Sequence, residues 1–257
     1  MNTPIRKTKI VCTMGPNLFE KHLIAPLMKA GMNVARFNFS HGTYETHQHY
    51  YDEVCRIRDE LGLPIATMLD TKGPEIRVRS FKNGRVTLQN GQLFTLTTDE
   101  VEGDEERVSI TYKELPQDIA VGSSILIDDG LIGMQVERID GADIVCRVLN
   151  GGVVSNNKGV NIPNAHLSMP FISEKDHQDI LFAIKNGYDF IAASFTRCAD
   201  DIMQIRHILQ ENNCHTINII AKIENMEGVE NIDEILRVVD GVMAVSYTHL
   251  TLPTNSL

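Results

Sequence analysis

The sequence predicts an α/β protein in which a run of parallel strands is interrupted by a set of β-hairpins. Two observations carry this. Short apolar strands alternate with amphipathic helices from Lys9 to Asp70 and again after Pro170, and repeated strand–helix units build parallel sheets through right-handed crossovers. Between them, from about Pro74 to Pro163, the turns read Asn90-Gly91, Asp129-Gly130, Asp140-Gly141 and Asn150-Gly151, dipeptides that favour tight hairpins. Pattern alone leaves an open doubly wound sheet and a closed barrel both possible.

Lys9–Thr13 is a short strand that stops at Gly15-Pro16. Asn17 is placed to cap the next helix, with Glu20 three residues on, and Gly31 closes it. Pro26 lies inside that pattern and should kink or restart the helix. Asn33–Phe39 is the second strand. Thr43 caps a helix whose apolar face runs Tyr50, Val54, Ile57, Leu61 and which ends at Gly62. Pro64–Leu69 is the third strand and finishes at Asp70.

The β-rich runs that follow are Arg85–Gln89, Leu93–Thr97, Ser124–Ile127, Gly133–Arg138 and Ile144–Val148. Together they are far longer than an ordinary loop, so residues 74–165 are expected to form a separate small all-β domain. After it, Ser173 with Asp176 caps a helix buried through Ile180, Leu181 and Ile184 and closed by Gly187. Asp189–Phe195 is the fourth strand. A helix with Ile202, Ile205 and Leu209 leads to the fifth, Ile217–Glu224. Asn231–Val239 is expected to be helical, and Gly241–Ala244 begins a sixth strand.

A formal net charge of −10 argues against nucleic acid or an anionic membrane as a partner. No apolar run approaches the roughly 20 residues of a membrane span. The N-terminus lacks an apolar signal core, so a cytoplasmic protein is expected. Cys12, Cys55, Cys146, Cys198 and Cys214 show no paired spacing; packed, reduced thiols are expected rather than disulfides or a zinc site.

Polar residues crowd the C-terminal ends of the strands. The second ends Arg36-Phe37-Asn38-Phe39-Ser40-His41 and the third Asp70-Thr71-Lys72-Gly73-Pro74-Glu75-Ile76-Arg77. The fourth ends Ser194-Phe195, and the fifth carries Lys222 and Glu224, two apart and so on one face of an extended strand. In both parallel architectures this edge binds ligands. Arg36, Lys72, Arg77 and Lys222 can converge on phosphate, and Glu224 is a hard oxygen ligand suited to Mg²⁺. Asn38, Ser40 and Asp70 could line a second, weaker cation site. Phosphoryl transfer needs this inventory of positioned charge. The bland readings are a structural Arg36–Asp70 ion pair across adjacent strands, a turn role for His41, and a plain loop lysine at Lys158. His47 and His49, at spacing two on a helix, do not form a metal pair. Neither GxxxxGK[ST] nor GxGxxG occurs.

Six motifs, KIVCTMGP (9–16), GMNVARFNFSHG (31–42), LDTKGPEIR (69–77), KGVNIP (158–163), AASF (192–195) and IAKIEN (220–225), together resemble the pyruvate kinase family in order and spacing. The resemblance runs from about Thr8 to Ala244. It implies a (β/α)₈ TIM barrel, incomplete here, with a small all-β domain inserted after strand three. The barrel would then be split into 1–73 and 166–244. The family transfers the phosphoryl group of phosphoenolpyruvate to ADP, giving pyruvate and ATP in glycolysis, with Mg²⁺ and usually K⁺, as a homotetramer. By motif, Arg36 would hold the transferring group and Lys222 would stabilise its charge. Glu224 would bind Mg²⁺, and Asn38, Ser40, Asp70 and Thr71 would form the K⁺ site. Asn38 and His41 would lie along the nucleotide; Arg77 and Lys158 would contact its phosphates, Lys158 from a lid.

After Gly241-Val242-Met243-Ala244 the family continues Arg-Gly-Asp, whose Asp is a second Mg²⁺ carboxylate; here residues 245–257 read instead VSYTHLTLPTNSL. This is expected to be a foreign or frameshifted tail. The resulting alternative is an inactive nucleotide-binding fragment, prone to aggregate, lacking strands seven and eight and the C-terminal domain. A Schiff-base aldolase using Lys222 competes as a second enzyme class; Glu224 and the arginines speak against it.

Overall fold

A computed structural model describes residues 7–128, 130–163 and 165–244. The chain opens with β1 (Val11–Thr13), α1 (Pro16–Glu20), α2 (Ile24–Ala30), β2 (Val34–Asn38), α3 (Tyr44–Leu61) and β3 (Ala66–Asp70). The second stretch is β4 (Ile76–Arg77), β5 (Arg85–Leu88), β6 (Leu93–Thr97), β7 (Arg107–Ser109), α4 (Leu115–Asp118), β8 (Ser124–Ile127), β9 (Ile132–Asp140), β10 (Asp143–Val148), β11 (Gly152–Ser155) and β12 (Gly159–Asn161). It closes with α5 (Glu174–Asn186), β13 (Phe190–Ala193), α6 (Ala199–Glu211), β14 (Asn218–Ile223), α7 (Met226–Glu230), α8 (Ile232–Ile235) and β15 (Gly241–Ala244). Contacts divide these into two units, one of residues 7–73, 172–222 and 233–243, the other of 74–171 and 223–232.

The first unit is built on a six-stranded sheet in the order β1-β2-β3-β13-β14-β15. The pairs from β1 through β14 are parallel. The order is sequential, without the reversal that creates a switch point in doubly wound sheets, so the architecture is that of a partial α/β barrel. Ile191, Ala192 and Ala193 of β13 and Leu69 of β3 are fully buried. Such continuous burial is what a parallel sheet covered on both faces requires. Rings fill the layer outside β2: Phe37 packs edge-on against Tyr188, and Tyr51 lies 4.6 Å from Tyr188.

Caps set the helix ends. Thr43 Oγ1 accepts the Thr46 N–H, and Gly62 and Gly187 terminate α3 and α5 in the left-handed region. Ser173 and Asp176 form a reciprocal capping box on α5. Several expectations are refined or corrected. The first helix is capped by Gly15, not Asn17, because Pro16 occupies the opening turn, where its fixed φ suits a helix start. The helix breaks after Glu20 and restarts at Ile24, ahead of Pro26. The buried face of α3 is His47, Tyr51, Val54 and Ile57; Tyr50 instead stacks on Phe19 at 3.7 Å. Of the helical stretch expected at Asn231–Val239 only α8, Ile232–Ile235, is helical, and a further short helix, α7, capped by Asn225, precedes it.

The second unit holds a seven-stranded sheet, β4-β12-β8-β9-β10-β6-β7, and the pair β11-β5. Its strand pairs are antiparallel except β6 with β7, which is parallel. Alternate residues of β5 and β8 are buried. The period of two gives one core, with Phe94, Leu96, Ile125, Ile127, Met134 and Ile144 fully enclosed. All five cysteines are free, but only Cys146 is buried; the other four are half-buried, so close packing of the thiols is corrected. No described helix is long and apolar enough to cross a membrane. The tail expected at 245–257 lies outside the described residues.

Candidate active site

Five neighbouring strands each deliver one side chain to the C-terminal edge of the parallel sheet. Register places Thr13 of β1 opposite Arg36 of β2. Arg36 Nη1 donates to Thr13 Oγ1 at 2.7 Å, while its Nε and Nη2 both reach Asp70 Oδ2, at 2.6 and 2.5 Å. Asp70 ends β3. Its second oxygen, Oδ1, accepts the Ser194 hydroxyl at 3.0 Å and lies 3.1 Å from Lys222 Nζ. Ser194 follows β13 directly, and Lys222 of β14 donates to Ser194 Oγ at 2.8 Å. The chain of contacts thus runs Thr13, Arg36, Asp70, Ser194, Lys222, in the order of the strands.

Burial gives these charges their force. Asp70 is 1% exposed and the Lys222 side chain 11%, whereas Arg36 keeps 23% of its side chain open. A buried carboxylate requires compensation, and Asp70 has two cations and a hydroxyl. Two cations against one carboxylate leave one positive charge among these three residues. That net charge, with 23% of the Arg36 side chain exposed, makes this edge chemically suited to an anion. The ion pair Arg36–Asp70 exists as the bland reading had it, but inside a larger network.

Asn38 and Asp70 are register partners, and Asn38 Oδ1 accepts the Ser40 N–H at 3.0 Å. The Thr71 hydroxyl donates to Ala192 O and accepts from Ser194 N, so its proton is committed within the protein. Its carbonyl oxygen accepts the Ser194 hydroxyl at 2.6 Å. Asn38, Ser40, Asp70 and Thr71 offer oxygen donors only, the chemistry of a hard cation. The loop carrying them is held from outside. Lys175 Nζ donates to Phe39 O at 2.9 Å and to Asp179 at 2.6 Å, and Tyr44 OH donates to the other oxygen of Asp179. Burial raises the Asp179 carboxyl above the usual range despite the opposing pull of Lys175 and Tyr44. His47 Nε2 meets His41 O at 2.8 Å, and its ring stacks on Phe39. His41 itself is exposed and contributes its carbonyl to that contact.

Glu224 follows β14 two residues beyond Lys222 and is 1% exposed. It groups with the second unit. No cluster of three or more His, Cys, Asp or Glu side chains able to hold a metal occurs among the described residues. A single buried carboxylate fits Mg²⁺, which takes one or two carboxylates and completes its shell with substrate oxygens and water. Arg77 and Lys158 also lie in the second unit and are brought together there. Gly159 pairs with Arg77, and Val78 N donates to Lys158 O. Arg77 is fixed by Glu75 at 2.7 Å and by Asn157 O, and Lys158 pairs with Asp128 at 2.9 Å. Sequence reasoning gave no site role to Ser194 or Thr13 and read Asp176 only as part of a helix cap. Asp176 Oδ1 accepts the Gly73 N–H at 3.0 Å, and a Cβ on Gly73 would stand 2.7 Å from Ser194 O.

The barrel-domain model of pyruvate kinase matches residues 5–250. A pyruvate kinase of Staphylococcus haemolyticus is 49% identical over 241 residues, covering 93% of this chain and 41% of the relative. One from Geobacillus stearothermophilus is 50% identical over 240 residues, again 93% of this chain and 41% of its own length. The crystal structure of a pyruvate kinase from Cryptosporidium parvum superposes with a TM-score of 0.86 at 39% identity, over 93% of this chain and 50% of that one. The chain therefore spans about two-fifths of the length of these curated relatives, and by family model, sequence and fold alike it belongs to the pyruvate kinase family through its barrel domain.

Proposed function

We propose that this chain carries the phosphoryl-transfer site of a pyruvate kinase, which moves the phosphoryl group of phosphoenolpyruvate to ADP. The observation that supports it most is the Arg36–Asp70–Ser194–Lys222 network at one strand edge. In the reaction the enol C–O–P linkage breaks at phosphorus, a terminal ADP oxygen forms the new P–O bond, and the enolate takes up a proton to become pyruvate. Arg36, the open cation, grips the phosphoryl oxygens bidentately. Lys222, fixed and largely desolvated, faces the charge that spreads over them in the transition state. Arg77 and Lys158 take nucleotide phosphates, and Asn38 and His41 border the nucleotide. Glu224 would hold Mg²⁺, and Asn38, Ser40, Asp70 and Thr71 would hold K⁺; bound there, the two ions add positive charge against the phosphoryl and carboxylate oxygens. The reading carries with it the family's glycolytic role, a cytoplasmic setting and homotetrameric assembly.

Calorimetric titration with phosphoenolpyruvate in Mg²⁺ and K⁺, beside a coupled assay for pyruvate, tests the reading. Metal-dependent binding is expected. Lys222→Met should lower kcat on the order of 10²- to 10³-fold while KM for phosphoenolpyruvate moves only a few-fold. An unchanged kcat removes Lys222 from its role, and a chain that binds no phosphoenolpyruvate overturns the reading.

A further inference from the structure

We propose that Ser194 is the positioning residue of this site, the group that sets the direction of the Lys222 ammonium and ties it to Asp70 and Thr71. The inference rests on the phosphoryl-transfer reading above for its functional meaning, and on geometry for the rest.

A lysine ammonium is a mobile point charge on a flexible four-carbon stem. Among the contacts that give it direction here are Ser194 Oγ at 2.8 Å and Asp70 Oδ1 at 3.1 Å. Ser194 is well mounted for the task. It is 2% exposed, and its backbone N–H donates to Thr71 Oγ1 at 3.1 Å. Gly73, at φ 69, lies so close that a Cβ there would meet Ser194 Cβ at 2.9 Å. The next residue, Phe195, adopts φ 57, a left-handed conformation that a bulky side chain takes only when its surroundings hold it there. The hydroxyl therefore has little freedom except rotation of its proton.

That proton has two acceptors within reach, Asp70 Oδ1 at 3.0 Å and Thr71 O at 2.6 Å. A hydroxyl carries one proton, so it serves one of them at a time. Both acceptors belong to residues assigned above to the monovalent-cation site. Ser194 thus sits between that site and the lysine, and a change in what Asp70 or Thr71 binds is felt at Lys222 through the same oxygen.

Two measurements on the full chain test this. The first is the rate at which a limiting amine-reactive reagent labels Lys222, read by peptide mass spectrometry with Lys175 as the internal control. Ser194→Ala should raise Lys222 labelling several-fold and leave Lys175 unchanged, and Ser194→Thr, which keeps the hydroxyl, should restore the slow rate. If Ser194→Ala disturbs Lys175 as well, Ser194→Cys, close in volume but a weak donor, takes its place with the same expectation. Equal Lys222 labelling in wild type and variant overturns the proposal. The second is catalytic: Ser194→Ala should lower kcat by up to about 10²-fold, hold KM for phosphoenolpyruvate within a few-fold, and raise the K⁺ concentration for half-maximal rate. Fast Lys222 labelling in the variant together with no phosphoenolpyruvate binding by the wild type overturns the phosphoryl-transfer reading and leaves the placement of Lys222 by Ser194 standing.

Discussion

His47 has a buried ring nitrogen, Nδ1, with no hydrogen-bond partner among the described residues. Its Nε2 is committed to His41 O, so the proton sits there and Nδ1 keeps its lone pair. Burial holds the imidazole below its ordinary range; the His41 carbonyl opposes this, Lys175 adds to it, and Asp179 opposes. With the folded value depressed, the unfolded chain binds the extra proton first. The stability that neutral His47 contributes is therefore complete above about pH 6.5 and lost as pH falls below it. Thermal midpoints measured from pH 7.5 to 5.5 should fall more steeply for the wild type than for His47→Gln, and parallel profiles would refute the assignment. The charged residues of the site were legible in the sequence because Arg36, Asp70, Lys222 and Glu224 break apolar strands, which is costly without a purpose. Ser194 was not legible as a hub. A serine after a strand is common, and only register across β3, β13 and β14 shows what its oxygen touches.

At the scale of an element, α5 shows how one carboxylate serves two purposes. Asp176 completes the cap with Ser173 and accepts the Gly73 N–H, fixing the chain just past β3. Ser173→Ala removes the cap alone and should cost about 1 kcal/mol. Asp176→Ala also leaves the Gly73 amide unsatisfied and should cost about 2–4 kcal/mol. Denaturant titrations of the two variants separate these values, and equal losses would show that the Gly73 bond contributes nothing. Caps were the most legible elements, since Thr43, Ser173, Gly62 and Gly187 each carry a local rule. Strands β4, β7, β11 and β12 were not foreseen. They have two to four residues, too few for a period to register, and are set by partners distant in sequence. On α3 the buried tyrosine is Tyr51 rather than Tyr50, which stays half-buried and stacks on Phe19.

For the whole molecule, two cores imply two cooperative units. Tyr44, Tyr50, Tyr51 and Tyr188 lie in the first unit and Tyr112 in the second, and the chain has no tryptophan. Near-ultraviolet tyrosine signals should therefore follow the first unit, while hydrogen exchange at Ile125–Ile127 and Met134 follows the second. The two unfolding curves are expected to separate, and coincident curves would show a single two-state transition. Alternation of strands and helices foretold an α/β sheet but not its closure. Barrel and open sheet share that alternation, and the sequential strand order, a property of the three-dimensional pairing, distinguishes them.

The shared carboxylate of Asp70 bears on how a substrate arrives. It leaves the Arg36–Lys222 centre with a single positive charge, inside a protein of formal net charge −10. At low ionic strength, where the Debye length is about 30 Å, an incoming polyanion meets the repulsive field of the whole surface; at physiological ionic strength that length falls to about 8 Å and the distant field is screened. The attraction of the rim acts only at close range. Added salt screens the distant repulsion more than the short contacts, so on the proposed phosphoryl-transfer reading moderate ionic strength is expected to speed encounter with the Arg36–Lys222 centre rather than slow it.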